Sequence, residues 1–169
     1  MTEQPPRRTE RPLSLAPEAA AFIDDLGLEP HPEGGWYRRV VESKSRLVTP
    51  AGVRPAVTSI LYLLTAGDVS RPHRVRHDEV WHLLAGGALA IAEFGAGQYR
   101  ETVLAGAGDG TFAHLVPGGA WQAARPLGQW SPAGCTVAPG FDFADFEIAC
   151  GDSLDALLAA APAMAGFLR

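Results

Sequence analysis

Turn-forming residues recur along this chain too densely for long helices. Nineteen Gly and 14 Pro stand among 169 residues, between short runs rich in Val, Ile, Leu, Tyr and Thr. An interior Gly costs a helix roughly 1 kcal/mol and a Pro about 3, so a helical bundle is disfavoured. Short apolar runs bounded by tight turns instead predict an all-β fold. No strand–helix alternation is visible, which argues against a parallel βαβ sheet. A jelly roll or small barrel is expected, because either disposes of open strand edges.

Residues 1–15 are rich in Pro, Arg and Glu and lack apolar periodicity. They read as a disordered tail, leaving 16–169 as a single domain. Pro17 suits a first helical turn, and Phe22, Ile23 and Leu26 continue an apolar face to Gly27. His31-Pro32-Glu33-Gly34-Gly35 reads as a turn, 36–42 as a strand and 44–55 as a polar loop. Further strands are predicted over 57–64, 79–84, 89–94, 99–104, 112–116, 120–124, 135–138 and 143–149. A closing helix is predicted over 154–161, capped by Asp152 or Ser153 and interrupted at Pro162.

The charge balance narrows the partners. Fourteen Lys+Arg against 19 Asp+Glu give a net charge of −5. No basic cluster exceeds Arg7-Arg8, so a nucleic-acid partner is excluded. No apolar run reaches the roughly 18–20 residues that span a bilayer, so no membrane partner is expected. Residues 1–12 are polar and show no secretory leader, and a cytoplasmic protein is expected. Cys135 and Cys150 form neither a disulfide framework nor a CxxC site.

The densest titratable cluster runs from Ser70-Arg71-Pro72-His73 through His77-Asp78-Glu79 to Trp81-His82. Histidines beside carboxylates serve metal ligation or proton transfer near neutral pH. Strand alternation puts Glu79 and Trp81 on one face and Val80 and His82 on the other. Glu79 and His82 therefore do not converge, while His73 and Arg71 share parity. The plain alternative is a solvated turn leading into a strand. His31 also stands out by position. Trp36, Trp81 and Trp121 either line an apolar pocket or pack as core. Tyr37 and Tyr62 are candidate hydrogen-bond donors, and Cys135 reads as buried core.

Two stretches resemble the paired motifs of the cupin superfamily. His73 and Glu79 followed by Gly86 resemble the first, and Gly110 through Pro117-Gly118-Gly119-Ala120-Trp121-Gln122 the second. His31 to Gly35 with Arg38, Asp78 to His82, and Gly134-Cys135-Thr136-Val137-Ala138-Pro139-Gly140-Phe141-Asp142-Phe143 resemble an RmlC-like subfamily of unknown function. The resemblance spans about 26–149. It implies a double-stranded β-helix, the cupin jelly-roll barrel, with short flanking helices, a pocket inside the barrel and a homodimer.

The resemblance also implies roles. Metal-binding cupins hold an ion with two His and a Glu from the first motif and a His from the second. Here those positions are Arg71, His73, Glu79 and Gln122. Arg cannot ligate, and Gln is a weak ligand for metals that suit imidazole. A divalent metal would rest on His73, Glu79 and Gln122, with His77 as a possible third strong donor. The chain departs from the resembled subfamily pattern at Arg39, Pro72 and His77, and Arg71 and His77 add anion-binding and proton-transfer groups. The leading expectation is a small-molecule enzyme of isomerase, epimerase or lyase type. In it His73 is the base, Glu79 tunes it, His77 adds a proton carrier, and Arg71 or Arg38 holds an anionic group. Tyr37, Tyr62, Trp81, Trp121 and Gln122 are the further substrate-binding candidates. The alternatives are a non-catalytic ligand-binding cupin and a metal-dependent enzyme.

Overall fold

The structure, a computed structural model, describes residues 15–106 and 110–168. The tail expected over 1–15 lies outside the described residues except for Leu15. Helix α1 (Pro17–Leu26) opens with Pro17 in its first turn and ends where Gly27 turns left-handed at φ 59°. Its buried Ala19 and Ile23 pack with Leu28 and Leu63.

Among the described residues thirteen strands follow. They are β1 (Glu29–Pro30), β2 (Trp36–Glu42), β3 (Arg46–Thr49), β4 (Gly52–Pro55), β5 (Thr58–Thr65), β6 (Ser70–Val75) and β7 (Asp78–Leu83). Then come β8 (Leu89–Gly95), β9 (Gln98–Leu104), β10 (Ala113–Val116), β11 (Trp121–Pro126), β12 (Trp130–Ala138) and β13 (Phe146–Ile148). Helix α2 (Gly151–Ala160) and a 3₁₀ segment (Pro162–Phe167) close the chain. One sheet has the order β1-β2-β5-β12-β7-β10, and the other β13-β6-β11-β8-β9. Every pairing is antiparallel. Their inward residues, among them Tyr62, Leu64, Trp81, Leu89, Ile91 and Leu104, make the central core. This is the all-β jelly roll with short flanking helices that the sequence predicts.

Four local readings are corrected. Residues 44–55 are not a plain loop: β3 and β4 form a ribbon, turned where Thr49 Oγ1 donates to Gly52 O at 2.7 Å. The stretch before Glu79 is strand β6, not a solvated turn. Pro72 hid it, because proline removes a ladder donor. The β6–β11 register shifts between Gln122 and Ala124, opposite Pro72, and so absorbs that loss. Strand β12 begins earlier than 135, because Pro132 lies beyond the end of the β7 ladder and breaks no bond there. The predicted strand 143–149 starts as a 3₁₀ turn (Phe143–Asp145), fixed by Ala144 N–H donating to Asp142 Oδ1.

Helix α2 is capped differently from expectation. Its N-cap is Cys150, whose N–H donates to Ser153 Oγ at 3.1 Å. Among the described residues no helix is long and apolar enough to cross a membrane.

Candidate functional site

The two sheets enclose a cavity of about 570 Å³. Alternation along three strands builds its wall. His73 and Val75 come from β6, Glu79 and Trp81 from β7, and Cys135 and Val137 from β12. The β1–β2 connection adds His31 and Glu33. Glu33, His73, Glu79 and Trp81 are buried, whereas Arg38, Arg39 and Asp142 are exposed at the open end.

The β1–β2 turn is clamped to the barrel from several directions. Tyr62 donates its hydroxyl to Gly34 O at 2.7 Å. Arg71 donates its guanidinium to Pro32 O at 2.6 Å, and its backbone N–H to Glu33 O at 2.9 Å. Ser70 Oγ donates to Glu33 Oε1 at 3.0 Å. Gly35, at φ 66°, lies against the Leu63 carbonyl, where a Cβ would come within 2.6 Å. Glu33 is thereby held in the lumen.

Hydrogen bonding settles the state of His73. Its Nδ1 lies 2.8 Å from Arg71 O, a group that can only accept. Nδ1 therefore carries the proton in the neutral ring, and the lone pair sits on Nε2. Nε2 is 3.4 Å from Glu33 Oε2. The same carboxylate oxygen is 3.5 Å from His31 Nδ1. The His31 ring is caged edge-on by Tyr37, Tyr62 and Phe146.

Glu79 is fixed by a separate chain. Trp81 Nε1 donates to Gln122 Oε1 at 2.9 Å, which orients the amide. Gln122 Nε2 then donates to Glu79 Oε2 at 2.6 Å.

Burial governs the titration of all four groups. It lowers His73, with the Glu79 charge opposing. It lowers His31, with Glu33 opposing. It raises Glu33, against the pull of His31 and the Ser70 hydrogen bond. Glu79 is pushed up by burial to about 7. The neutral imidazole and the carboxylic acid are thus both accessible near neutrality, the pairing that general acid–base chemistry needs.

Of the residues singled out in the sequence, His73, Glu79, Trp81, Tyr37 and Arg38 line the cavity. Tyr62 and Gln122 lie behind its wall and hold Gly34 and Glu79. Arg71 faces the β1–β2 turn instead of a ligand. Trp121 is on the other face of β11, stacked 4.7 Å from the Arg74 guanidinium and packed toward α2. His77 lies between β6 and β7, away from the cavity lining, its Nδ1 buried without a hydrogen-bond partner. Arg74 is engaged by Glu147 and Arg76 by Asp145. The basic cluster therefore disperses, and Arg38 and Arg39 are the cations that border the cavity.

The sequence reading marks His31 and the resemblance of 31–35 but gives Glu33 no role. A carboxylate directly before two glycines was the available signal. It also missed Phe141 and Phe146, which line the cavity from the segment after β12.

The donor set does not fit a metal ion. Among the described residues no three His, Cys, Asp or Glu side chains converge as ligands. The Gln122 carbonyl is taken by Trp81 and its amide by Glu79. Of the motif positions only His73 and Glu79 are strong donors, short of the three protein ligands usual in a catalytic zinc site.

Two antiparallel sheets closed around an ionisable, aromatic-walled lumen define a jelly-roll barrel. Residues 20–149 match the family described as cupin superfamily (DUF985), and the chain belongs to that family. A hypothetical protein from Leishmania major has a similar solved structure, with a TM-score of 0.79 and 30% identity over 86% of this chain and 95% of that one. A protein from Shewanella oneidensis gives 0.77 and 34%, over 89% and 97%. Oxalate decarboxylase from Bacillus subtilis gives 0.53 and 13%, over 70% of this chain and 29% of that one. That likeness concerns the fold alone. No curated protein matches the chain.

Proposed function

We propose that this cupin is a metabolic enzyme that moves a proton on a small polar or anionic molecule bound in the barrel, an isomerase, epimerase or lyase. The observation that carries the reading is the locked tautomer of His73, whose free Nε2 faces a cavity it shares with Glu79. Substrate enters between the aromatic walls with its acidic C–H toward His73. Nε2 takes the proton, and the Nδ1–H bond to Arg71 O supports the imidazolium that forms. Glu79, held by Gln122, donates to the developing oxyanion when protonated. Arg38 at the mouth binds an anionic end of the substrate, a role that Arg71 is too far engaged to fill.

The test is deuterium wash-in from D₂O across a panel of hydroxy acids, keto acids and sugars. His73→Asn is expected to abolish exchange with an unchanged circular dichroism spectrum. Undiminished exchange in that variant overturns the reading. We further propose that the chain acts as a cytoplasmic homodimer, as its resemblance to dimeric cupins implies. A single-chain mass by light scattering at micromolar concentration contradicts the dimer.

A further inference from the structure

Two buried ionisable side chains of the cavity, His31 and Glu33, take no part in the proton transfer proposed for His73 and Glu79. Their placement is specific. Glu33 Oε2 stands between His73 Nε2 at 3.4 Å and His31 Nδ1 at 3.5 Å. Glu33 Oε1 is separately held by Ser70, so the carboxyl is oriented with one oxygen toward both rings. The side chains of all three residues are nearly inaccessible, at 2% for His73 and 6% for the other two. Facing Glu33 are Arg71 from β6, Tyr62 from β5, Glu79 from β7 and Cys135 from β12. None of these four stands between the two imidazoles, which approach Oε2 at ion-pair distance, and His31 Nδ1 also accepts the Glu33 backbone N–H at 3.4 Å.

We propose that His31, Glu33 and His73 form a proton relay, in which Glu33 Oε2 carries the proton between the two imidazoles. The proposal rests on His73 being the base. A base that takes a proton at the buried end of the cavity must lose it before the next turnover. The relay supplies the route without water. Glu33 starts as the carboxylic acid and passes its Oε2 proton to His31 Nδ1, leaving a carboxylate and an imidazolium. The protonated His73 then gives its Nε2 proton to Glu33 Oε2, which restores the acid and the free base. One proton has moved from His73 to His31, and no other species is consumed. Contacts of 3.4–3.5 Å are long for transfer, as acid–base contacts often are before substrate tightens the site.

The test follows the ring proton itself. Protein labelled with ¹⁵N-histidine is held at pH 5, and solvent exchange of the His73 Nε2 proton is measured by NMR. Glu33→Gln keeps the shape and the Ser70 contact but cannot carry the proton. His31→Phe keeps the aromatic cage but removes the acceptor. Both variants are expected to slow exchange at least tenfold, with the His82 and His114 signals unmoved as the check on folding. Exchange unchanged in either folded variant overturns the relay. The wild-type tautomer at neutral pH separates the two readings. An Nε2–H ring overturns His73 as base, whereas an Nδ1–H ring with unaffected exchange overturns the relay alone.

Discussion

Gln122 donates its side-chain amide to Glu79 across 2.6 Å, and that bond decides how the acidic side of the lumen is arranged. The indole of Trp81 fixes which end of the amide faces the carboxyl. Oε2 of Glu79 can then only accept, so the proton of the acid form belongs to Oε1. A side chain at a ligand position of the resembled motif serves here to orient an acid.

Replacing Gln122 with Leu should expose the strength of this chain. The change leaves the Trp81 N–H and the Glu79 oxygen buried without their partner. Each of the two orphaned groups costs about 1–3 kcal/mol, so a loss of about 2–6 kcal/mol is expected in denaturant unfolding. The amide bond favours the ionised carboxylate, so its removal should raise the Glu79 titration still further. Carboxyl ¹³C shifts followed against pH read this directly, and an unmoved Glu79 would contradict the geometry.

Glu79 also predicts how stability depends on pH. Its folded value, about 7, lies above the ordinary 4.5. The folded state therefore holds this proton more tightly than the unfolded chain. The stabilisation is complete below the ordinary value and is lost as pH rises from about 4.5 through 7. The full span is on the order of 3 kcal/mol. Glu79→Gln should thus gain on the wild type as pH increases, by melting at pH 5 and pH 8. Equal differences at the two pH values would remove Glu79 as the cause.

Much of this was legible in the chain. The alternation through Asp78 to His82 placed Glu79 and Trp81 together and His82 apart, because each side chain of a strand has a fixed face. Turn chemistry placed α1 and most strand ends within a few residues. What escaped depends on tertiary context. Strand β6 was hidden by Pro72, which is tolerated because β6 bulges there, with Arg71 and Pro72 opposite the single residue Ala123 of β11. Trp121 sits one position from Gln122, and the register of β11 decides which of the two points inward. Glu33 looked like a turn residue because Ser70, Tyr62 and Arg71, far away in sequence, aim it into the lumen.

The two glycines that end these turns should respond unequally to alanine. Gly27 adopts φ 59° in open space, with nothing within 4 Å of an added Cβ. Only left-handed strain opposes Gly27→Ala, about 1 kcal/mol. At Gly35 the new Cβ meets Leu63 O at 2.6 Å and Leu64 Cδ2 at 2.8 Å. Leu63 is paired to Trp36 in the β2–β5 ladder and cannot withdraw. Gly35→Ala should therefore cost clearly more, roughly 2–4 kcal/mol. It should also shift the His31 ring signals, which Gly27→Ala leaves in place. Equal losses by urea unfolding would show that the turn is not tightly clamped.

Asp145 links the β3–β4 ribbon to the segment bordering the cavity. It accepts Arg54 Nε at 2.6 Å and Arg76 Nε at 3.0 Å, and its own side chain is 1% exposed. The Arg54 hydrogen bond holds its carboxyl below the ordinary value, with burial opposing and Arg76 assisting. The sign is opposite to that of Glu79. A depressed carboxyl stabilises the fold above its ordinary range and loses that contribution as pH falls through the folded value. Asp145→Asn should therefore lower the urea midpoint at pH 7 and approach the wild type in acid, near pH 3. Because Asn keeps the size and one acceptor, the difference reports charge and not packing. A deficit of the same size at both pH values would assign the loss to the arginine hydrogen bond that the amide no longer accepts and not to charge.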